Sequence, residues 1–479
     1  MCARHAPIDW RSHGWPLGLL LTVPAAAYLP AFLGAFQFDD YNVIVHNPAV
    51  HSWAAFVASM PGIRPFLKLS YTLNWTSGLG VLGFHAVYLA CHLAAVCCVY
   101  ALGRAWQGWP TSTPVLTRRM ALTTALLFAL HPAQTEAVTY ISGRSVSLMG
   151  LAYLGALLAY HYGRAHDCRI WHAGISPLLF LTALAVKETA WTLPLALLLW
   201  DAGTGSLTFR TRLRRIRIHT TILALSAGVM LCTTGYQRLL LGSLETRTLW
   251  ENLLTQIDGQ SYLLAHPLLC LQTNIDPDLA IHTRLDASLL LSGGFLTTLL
   301  LVGAWQLRTR VWLGVGILWT FLHLLPTNSA LPRLDVANDR QLYLALIGPA
   351  LLVAVGLWNS LARPQAVAAT CALVLILGGA TARRNLDYRS ESALWETTTH
   401  TSPMKARVWN NLGYAAQLAG DTMTACSAYH HALWLDPETP KARANLALLS
   451  PSCTAQTPPV PHAKSTNQPS HPAATAGPE

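Results

Sequence analysis

Charged residues are scarce in this sequence. Asp, Glu, Lys and Arg make up 11% of the 479 residues, whereas hydrophobic residues make up 52%. A soluble domain carries about 25% charged residues, so the composition argues against a soluble globular protein and favours a membrane protein. Acidic residues are fewer than basic ones, with 22 Asp and Glu against 32 Lys and Arg. Membrane topology accounts for most of that basic excess, and no nucleic-acid partner is indicated.

Several motifs of cofactor chemistry are also absent. The sequence contains no Walker loop and no Rossmann fingerprint, so no nucleotide-binding fold is indicated. No CxxC pair offers a metal-ligand spacing. Half of the ten cysteines lie inside apolar runs, where cysteine behaves as a small hydrophobic residue; they are Cys91, Cys97, Cys98, Cys232 and Cys371.

Long apolar runs are what the sequence has in abundance. Because a spanning helix needs about 20 apolar residues, we predict an all-α, polytopic membrane bundle of about 11 spans over residues 15–382, after an N-terminal tail at 1–14. The first run is longer than a signal-peptide core and lacks a convincing cleavage site, so we interpret it as a retained helix. The runs lie near 15–36, 83–103, 119–133, 145–162, 173–187, 189–201, 219–241, 286–306, 311–326, 341–361 and 365–382.

Arginine placement predicts the orientation of these spans. With a cytoplasmic N-terminus, the loops after the even-numbered spans hold thirteen arginines and only two acids, Asp167 and Asp201. Cytoplasmic loops carry such an excess of Lys and Arg. We therefore expect residues 37–82, 242–285 and 327–340 and everything after about residue 383 to face outside, which in the inner membrane of a bacterium is the periplasm. The arginines are Arg104, Arg118, Arg119, Arg164, Arg169, Arg210, Arg212, Arg214, Arg215, Arg217, Arg308, Arg310 and Arg363.

The composition changes after residue 390. The positions of Trp409, Gly413, Tyr429 and Pro437 match the 34-residue tetratricopeptide pattern, which predicts a short repeat unit at 391–449 that is a candidate surface for binding a protein. An ordinary helical hairpin is the alternative. Cys426 and a second cysteine at 453 would both lie outside, where a disulfide can form. The tail at 450–479 is rich in Pro, Ser and Thr, and we predict that it is disordered.

Two neighbouring acids stand at the outer end of the first predicted span. In FQFDDYN, Asp39 and Asp40 could accept a proton from a hydroxyl group or orient a sugar. Paired carboxylates also suit a divalent metal such as Mg²⁺ or Mn²⁺, although no complete ligand set is visible. The structural alternative is an interfacial turn or cap, for which DDYN has suitable residues.

Other ionisable residues fall in the same predicted outside segments. Cations there can bind a phosphate group, and acids there can act as bases. Each candidate also has a structural alternative. Residues 131–148 could form a re-entrant turn whose polar groups bond to one another, and neighbouring opposite charges could simply neutralise each other. Asp339 could cap a helix at the membrane interface. The candidates are Arg64, His131, Glu136, Arg144, Lys187, Glu188, Arg333 and Arg340.

The order of the motifs resembles a known family. FxFDD, RPF…N…GFHxxxxxxH, HPAQTEAVxYISGRS, KETAxxxPLxLLLxD, DRQLYL and RNxDYRSExxLW follow one another ahead of the predicted repeat. This order is similar to that of bacterial relatives of the transmembrane and tetratricopeptide-repeat (TMTC-like) O-mannosyltransferases, within the multi-span C-type (GT-C) glycosyltransferases. The sequence departs from the family at Tyr88, at Asp339 and in its very short repeat array.

The resemblance implies a function. Such enzymes move a sugar from a polyprenyl-phosphate carrier to a hydroxyl group on the outer face, and the acceptor is a protein Ser or Thr or a glycan. It implies that Asp39 or Asp40 is the catalytic base, with Asp40 slightly favoured, and that Arg144, Lys187 and Arg340 bind phosphate. A transporter or flippase of lipid-linked glycan remains an alternative, as does a glycan ligase or polymerase.

Overall fold

The computed structural model describes residues 10–60, 62–203, 208–269 and 273–453, and all regular secondary structure in those ranges is helical. The predicted tails therefore lie largely outside the described residues. Contacts divide the chain into two units between Met404 and Lys405. The helices are α1 Trp10–Tyr28, α2 Trp53–Ala58, α3 Pro65–Thr76, α4 Gly80–Ala105, α5 Pro114–Leu130, α6 Thr135–Val138, α7 Arg144–Ala165, α8 Ser176–Val186, α9 Leu193–Ala202, α10 Phe209–Cys232, α11 Thr234–Thr246, α12 Leu249–Leu269, α13 Ala287–Thr309, α14 Val311–Leu324, α15 Ile347–Ser360, α16 Arg363–Asp387, α17 Glu391–Thr401, α18 Ala406–Leu418, α19 Thr422–Leu435 and α20 Pro440–Cys453.

Six helical stretches of the described chain are long and apolar enough to cross a membrane. Shorter apolar helices cover three more of the predicted runs, at Trp171–Val186, Val311–Leu324 and Ile347–Ser360. The all-helical membrane class is confirmed, whereas the count of about eleven spans stays a prediction. The six stretches are Gly14–Leu33, Gly80–Ala105, Ile141–Ala165, Phe209–Cys232, Ala287–Thr309 and Arg363–Asp387.

The outward faces of the peripheral helices are apolar. On α13, the side chains of Leu291 and Trp305 are 76% and 62% exposed, and on α16 the side chain of Leu375 is 75% exposed. A helix that is hydrophobic on all sides is stable only inside a large core or in lipid. These faces are therefore the surfaces that would contact the acyl chains.

A tightly packed inner bundle supports the ends of these helices. Helix α4 packs against α5 and α7, and α15 packs against α5 and α14. Between α8 and α9 the helix breaks, because Lys187 has an extended backbone (φ −156°, ψ 135°) before the short 3₁₀ helix Glu188–Thr192. A similar interruption follows α5, where Pro132–Gln134 and Ile141–Gly143 are 3₁₀ turns. These breaks bring polar side chains to one region of the bundle.

The second unit contains α18, α19 and α20. Helices α18 and α19 form a hairpin in which Gly413 lies against the ring of Tyr429, so close that a Cβ at Gly413 would be 2.7 Å from that ring. Tyr429 is fully buried with Ala416 and Ala425. The repeat pattern requires two helices to approach each other closely at a small residue, as α18 and α19 do at Gly413. The tetratricopeptide assignment itself stays a prediction.

A disulfide joins α19 to α20. Cys426 is bonded to Cys453 across a sequence separation of 27 residues. A crosslink that closes a loop of this length stabilises the folded unit by about 3 kcal/mol in the chain-entropy model. We expect Cys426→Ser, or reduction, to expose α20 to limited proteolysis in the full chain. Unchanged cleavage after reduction would show that α20 is held by packing alone.

Candidate active site

The two acids of the FxFDD motif have different environments. Asp40 is 1% exposed, and its Oδ1 accepts hydrogen bonds from the backbone N–H (2.7 Å) and the hydroxyl (2.5 Å) of Ser142. Its Oδ2 accepts a third bond from the Gln37 N–H at 2.9 Å. Burial nevertheless raises the pKa of Asp40 to about 7, against the lowering effect of these donors. Asp40 therefore joins two chain segments.

Asp39 is half-buried, next to the same junction. Its backbone N–H donates a hydrogen bond of 3.1 Å to the hydroxyl of Tyr140. Its carboxylate is close enough to Arg340 to be one of the charges that raise the pKa of that guanidinium. Of the two acids, Asp39 is the more exposed residue, and its charge acts on Arg340.

The HPAQTEAV segment carries a buried acid. Glu136 is 1% exposed, and its Oε2 accepts a hydrogen bond of 2.9 Å from the backbone N–H of Arg340. The Arg340 Nε lies 3.5 Å from the other oxygen. Burial raises the pKa of Glu136 to about 7 although Arg340 acts to lower it. The chain returns so closely here that a Cβ at Gly143 would be 2.2 Å from the Glu136 carbonyl oxygen.

Three cations line one cavity next to these acids. Lys187, Arg333 and Arg340 share its wall with Thr327 and His323. Arg340 is also 3.5 Å from Asp335. Within the described residues, neither Lys187 nor Arg333 makes an ion pair. The cavity thus has more positive charge than its own carboxylates neutralise, which favours binding of an anion.

Mutual repulsion among these cations is visible in their acid–base behaviour. Burial, followed by the charges of Arg64, Arg333 and Arg340, lowers the pKa of Lys187 well below its usual value. Burial and Arg340 lower the pKa of Arg333 to about 10. For Arg340, burial is the largest single effect and acts to lower the pKa, but Glu136 and the other acidic groups nearby together outweigh it, and the pKa is raised. An anion in the cavity would relieve the penalty at Lys187 and Arg333.

Arg64 and Glu188 form a pair beside the cavity. The Arg64 Nη2 is 2.7 Å from Glu188 Oε2, and Nε donates to both carboxylate oxygens. Burial acts to raise the pKa of Glu188, but Arg64 outweighs it and the pKa is lowered. The pair therefore fixes the segment next to Lys187. Arg64 does not line the cavity, but its charge acts on Lys187.

Arg144 and His131 have local partners. The Arg144 Nη1 donates to the Ser70 carbonyl at 2.8 Å, and its guanidinium lies 4.4 Å from the ring centroid of Tyr88. His131 Nδ1 accepts a hydrogen bond from the Ala133 N–H and so caps the turn that follows it. Among the described residues that line the cavity, neither of the two is found.

Helix α12 holds the loop that carries Arg333. Asn252 Nδ2 donates to the Ser329 carbonyl at 2.7 Å, Gln256 Nε2 to the Val336 carbonyl at 3.2 Å and Gln260 Nε2 to the Asn328 carbonyl at 2.6 Å. These three amides are spaced four residues apart, so they lie on one face of the helix. The sequence placed residues 242–285 outside the membrane but did not reveal these hydrogen bonds to the Arg333 loop.

Sequence reasoning also missed polar residues of the cavity. Asn338 and Gln341 line it, and Ser142 and Tyr140 hold the acidic pair. Asn338 and Gln341 flank Asp339 and Arg340 in the sequence. This group of polar residues ahead of an apolar run could have indicated that they belong to the same site. The partnership of Ser142 with Asp40 had no sequence signal, because 102 residues separate them.

The arrangement does not fit a metal ion. Within the described residues, no group of three or more His, Cys, Asp or Glu side chains is placed to bind one. At Asp40 both oxygens already accept hydrogen bonds from donors, so the two acids do not present a joint set of free oxygens. We derive no step that passes through a metal.

The raised pKa of Glu136 predicts a pH-dependent stability. A carboxyl group whose folded pKa is raised stabilises the fold fully below its unfolded pKa, and this contribution is lost as the pH rises through about 7. The loss is roughly 3 kcal/mol. We expect the Tm of wild type to fall relative to Glu136→Gln between pH 5 and pH 8, measured by thermal unfolding in nanodiscs. A difference in Tm between the two proteins that stays constant with pH would contradict this assignment. Titration of Lys187 changes the stability in the opposite direction, but it is present in both proteins and so cancels in the comparison.

The described chain thus defines a class: a helical membrane protein with a buried cationic cavity beside carboxylates. It is similar to protein O-mannosyl-transferase F38B6.6 of Caenorhabditis elegans, with 26% identity over 447 residues, 88% of this chain and 62% of the relative. It is 24% identical to protein O-mannosyl-transferase TMTC3 of Mus musculus over 488 residues, 89% of this chain and 52% of the relative. A shorter match to TMTC1 of Mus musculus is 31% identical over 210 residues, 38% of this chain and 21% of the relative.

The chain is a relative of these TMTC proteins, and the resemblance in its motifs is confirmed. It spans only about half to three-fifths of the length of the first relatives, between 52% and 62%. No protein-family model matches the chain. No solved structure matches it either.

Proposed function

We propose that this protein is a membrane glycosyltransferase that transfers a sugar from a polyprenyl-phosphate carrier to a hydroxyl group. The observation that carries the proposal is the cavity with Lys187, Arg333 and Arg340, whose Arg340 is within the electrostatic reach of the half-buried acid Asp39. Cations suit the phosphate of the donor, and the carboxylate suits the acceptor hydroxyl. The relatives are protein O-mannosyl-transferases, which favours mannose as the sugar and a protein as the acceptor.

The reaction is a displacement at the anomeric carbon. Asp39 accepts the proton of the acceptor hydroxyl, whose oxygen forms a new bond to that carbon. The bond between the carbon and the phosphate oxygen breaks, and the polyprenyl phosphate leaves with the electron pair. Lys187, Arg333 and Arg340 stabilise the charge that develops on the leaving phosphate. One carboxylate is sufficient if the configuration inverts.

Asp39, rather than Asp40, is the better candidate for the base. All of the Asp40 hydrogen bonds are accepted from donors of its own chain, and that side chain is 1% exposed. A general base must reach the proton that it removes, which a half-buried residue can do more easily. Asp40 then acts as a positioning residue, and this reverses the slight preference for Asp40 drawn from the sequence.

The finer features of the proposal follow from the sequence. The arginine asymmetry favours an active site on the periplasmic face of a bacterial inner membrane, where no nucleotide sugar is available and a lipid-linked donor is required. The unit that begins at Lys405 is the candidate surface for a protein acceptor.

The experiment measures transfer from mannosyl-phospho-undecaprenol to a Ser- and Thr-containing peptide by purified protein in nanodiscs. A parallel liposome assay measures movement of the same lipid between leaflets. Transfer by wild type supports the enzyme. Movement of the lipid without transfer, to peptide or to glycan, would favour the flippase, and transfer to glycan alone would favour the ligase or polymerase.

A further inference from the structure

Two amide side chains in the cationic cavity have no hydrogen-bond partner among the described residues. Asn338 is fully buried and Gln341 is 9% exposed. Both the oxygen and the nitrogen of each amide lack a partner, and both residues line the cavity with Lys187, Arg333 and Arg340. A buried polar group without a partner costs about 1–3 kcal/mol, so these four atoms are expensive unless a ligand satisfies them.

The position of Asn338 makes its lack of a partner unusual. It directly precedes the 3₁₀ helix Asp339–Leu342, with an extended backbone (φ −156°, ψ 156°), yet its side chain makes no capping bond. Asn at such a position ordinarily caps the helix, as Asn47 does by accepting from the Ala49 N–H. The amide of Asn328, in the same loop, is satisfied: its Nδ2 donates to Gln256 at 2.9 Å. The Asn338 amide is therefore available to a ligand.

The chemistry of the cavity identifies the part of the ligand that the amides would contact. An amide both donates and accepts hydrogen bonds, which suits hydroxyl groups, whereas the three cations can only donate and suit phosphate. The remaining wall includes Met149 and Leu344, which can pack on the C–H face of a sugar ring.

We propose that Asn338 and Gln341 bind the hydroxyl groups of the donor sugar, next to the cations that bind its phosphate. This inference rests on the proposed function and deepens it. It makes the two amides determinants of sugar recognition, whereas Lys187 recognises the phosphate that every polyprenyl-phosphate donor shares.

The test compares a lipid phosphate with and without the sugar. The sugar also converts the phosphate monoester to a diester, so each variant is compared with wild type on the same lipid. Binding of undecaprenyl phosphate and of mannosyl-phospho-undecaprenol to protein in nanodiscs is measured for wild type, Asn338→Leu, Gln341→Met and Lys187→Gln. We expect the first two variants to weaken binding of the mannosyl lipid about tenfold and to change binding of undecaprenyl phosphate less than twofold. Lys187→Gln should weaken binding of both lipids.

Thermal unfolding separates this role from a structural one. Leu and Met keep the shape of the two amides and remove the unsatisfied atoms, so the Tm of Asn338→Leu and Gln341→Met should be equal to or above that of wild type. The matched control Asn328→Leu loses real hydrogen bonds to Gln256 and to the Val336 carbonyl, and its Tm should fall. A fall as large in Asn338→Leu or Gln341→Met would overturn the inference.

The binding results distinguish the two levels of the proposal. If wild type binds both lipids and the amide variants bind both as wild type does, or weaken both equally, the sugar assignment is overturned and the phosphate site stands. If wild type binds neither lipid, the proposed function is overturned and the sugar assignment with it.

Discussion

Replacing Asp39 by Asn should lower sugar transfer about 10²–10⁴-fold, the usual contribution of a general base, without weakening donor binding. The reason is that Asn keeps the shape of the side chain but cannot accept the proton of the acceptor hydroxyl. The measurement is the initial rate of transfer to peptide in nanodiscs, with binding of the mannosyl lipid measured on the same preparation.

The neighbouring acid provides the contrast. At present a carboxylate oxygen of Asp40 accepts a hydrogen bond from the Gln37 N–H. In Asp40→Asn, the new amide nitrogen would face that N–H, so two donors would oppose each other. We expect a lower Tm, by the equivalent of ~1–3 kcal/mol, and a loss of activity that follows the loss of folded protein. Asp286→Asn is a matched control, because Asp286 caps the start of α13 by accepting from the Leu289 N–H and the Ser288 hydroxyl and Asn is an equally good cap. Full transfer by Asp39→Asn would overturn its assignment as the base.

Replacing Lys187 by Gln should weaken binding of the mannosyl lipid roughly 10–100-fold, because a hydrogen bond to a charged group is worth about 1.5–3 kcal/mol. Burial and three guanidinium groups keep the pKa of Lys187 well below its usual value. A phosphodiester in the cavity would raise that pKa again, so donor binding takes up a proton. Affinity should therefore be highest at low pH and decline as the pH rises through the range between the free and the bound pKa.

The pH profile tests this coupling separately from the affinity. A phosphodiester donor is the suitable probe, because it does not itself titrate near neutral pH. Lys187→Arg should bind the donor with a flat profile, since a guanidinium remains protonated, and Lys187→Gln should bind weakly with a flat profile. Lys441→Gln, which removes an exposed lysine of the second unit, should behave as wild type. A slope that persists in Lys187→Arg would show that another group takes up the proton.

The sequence was sufficient to predict the class of this protein. The low content of charge and the long apolar runs predicted a helical membrane protein, because so much apolar surface is most readily removed from water by lipid. The ordered motifs predicted a TMTC-like relative, and the comparisons bear this out. The same patterns supplied Lys187, Arg333 and Arg340 as candidate phosphate ligands, since Lys and Arg are the natural partners of a phosphate group.

The sequence could not assign roles to neighbouring residues. In FQFDDYN, Asp39 and Asp40 have the same chemistry, and only the tertiary structure brings Ser142 to Asp40 and leaves Asp39 the more exposed of the two. In the same way, Arg144 and Arg340 are equal candidates in the sequence, but Arg144 lies against Ser70 and Tyr88, whereas Arg340 lines the cavity. Composition and periodicity determine which segments enter the membrane because burial depends on local hydrophobicity. Which polar atoms remain without partners depends on contacts between segments far apart in the chain, and only the folded bundle decides that.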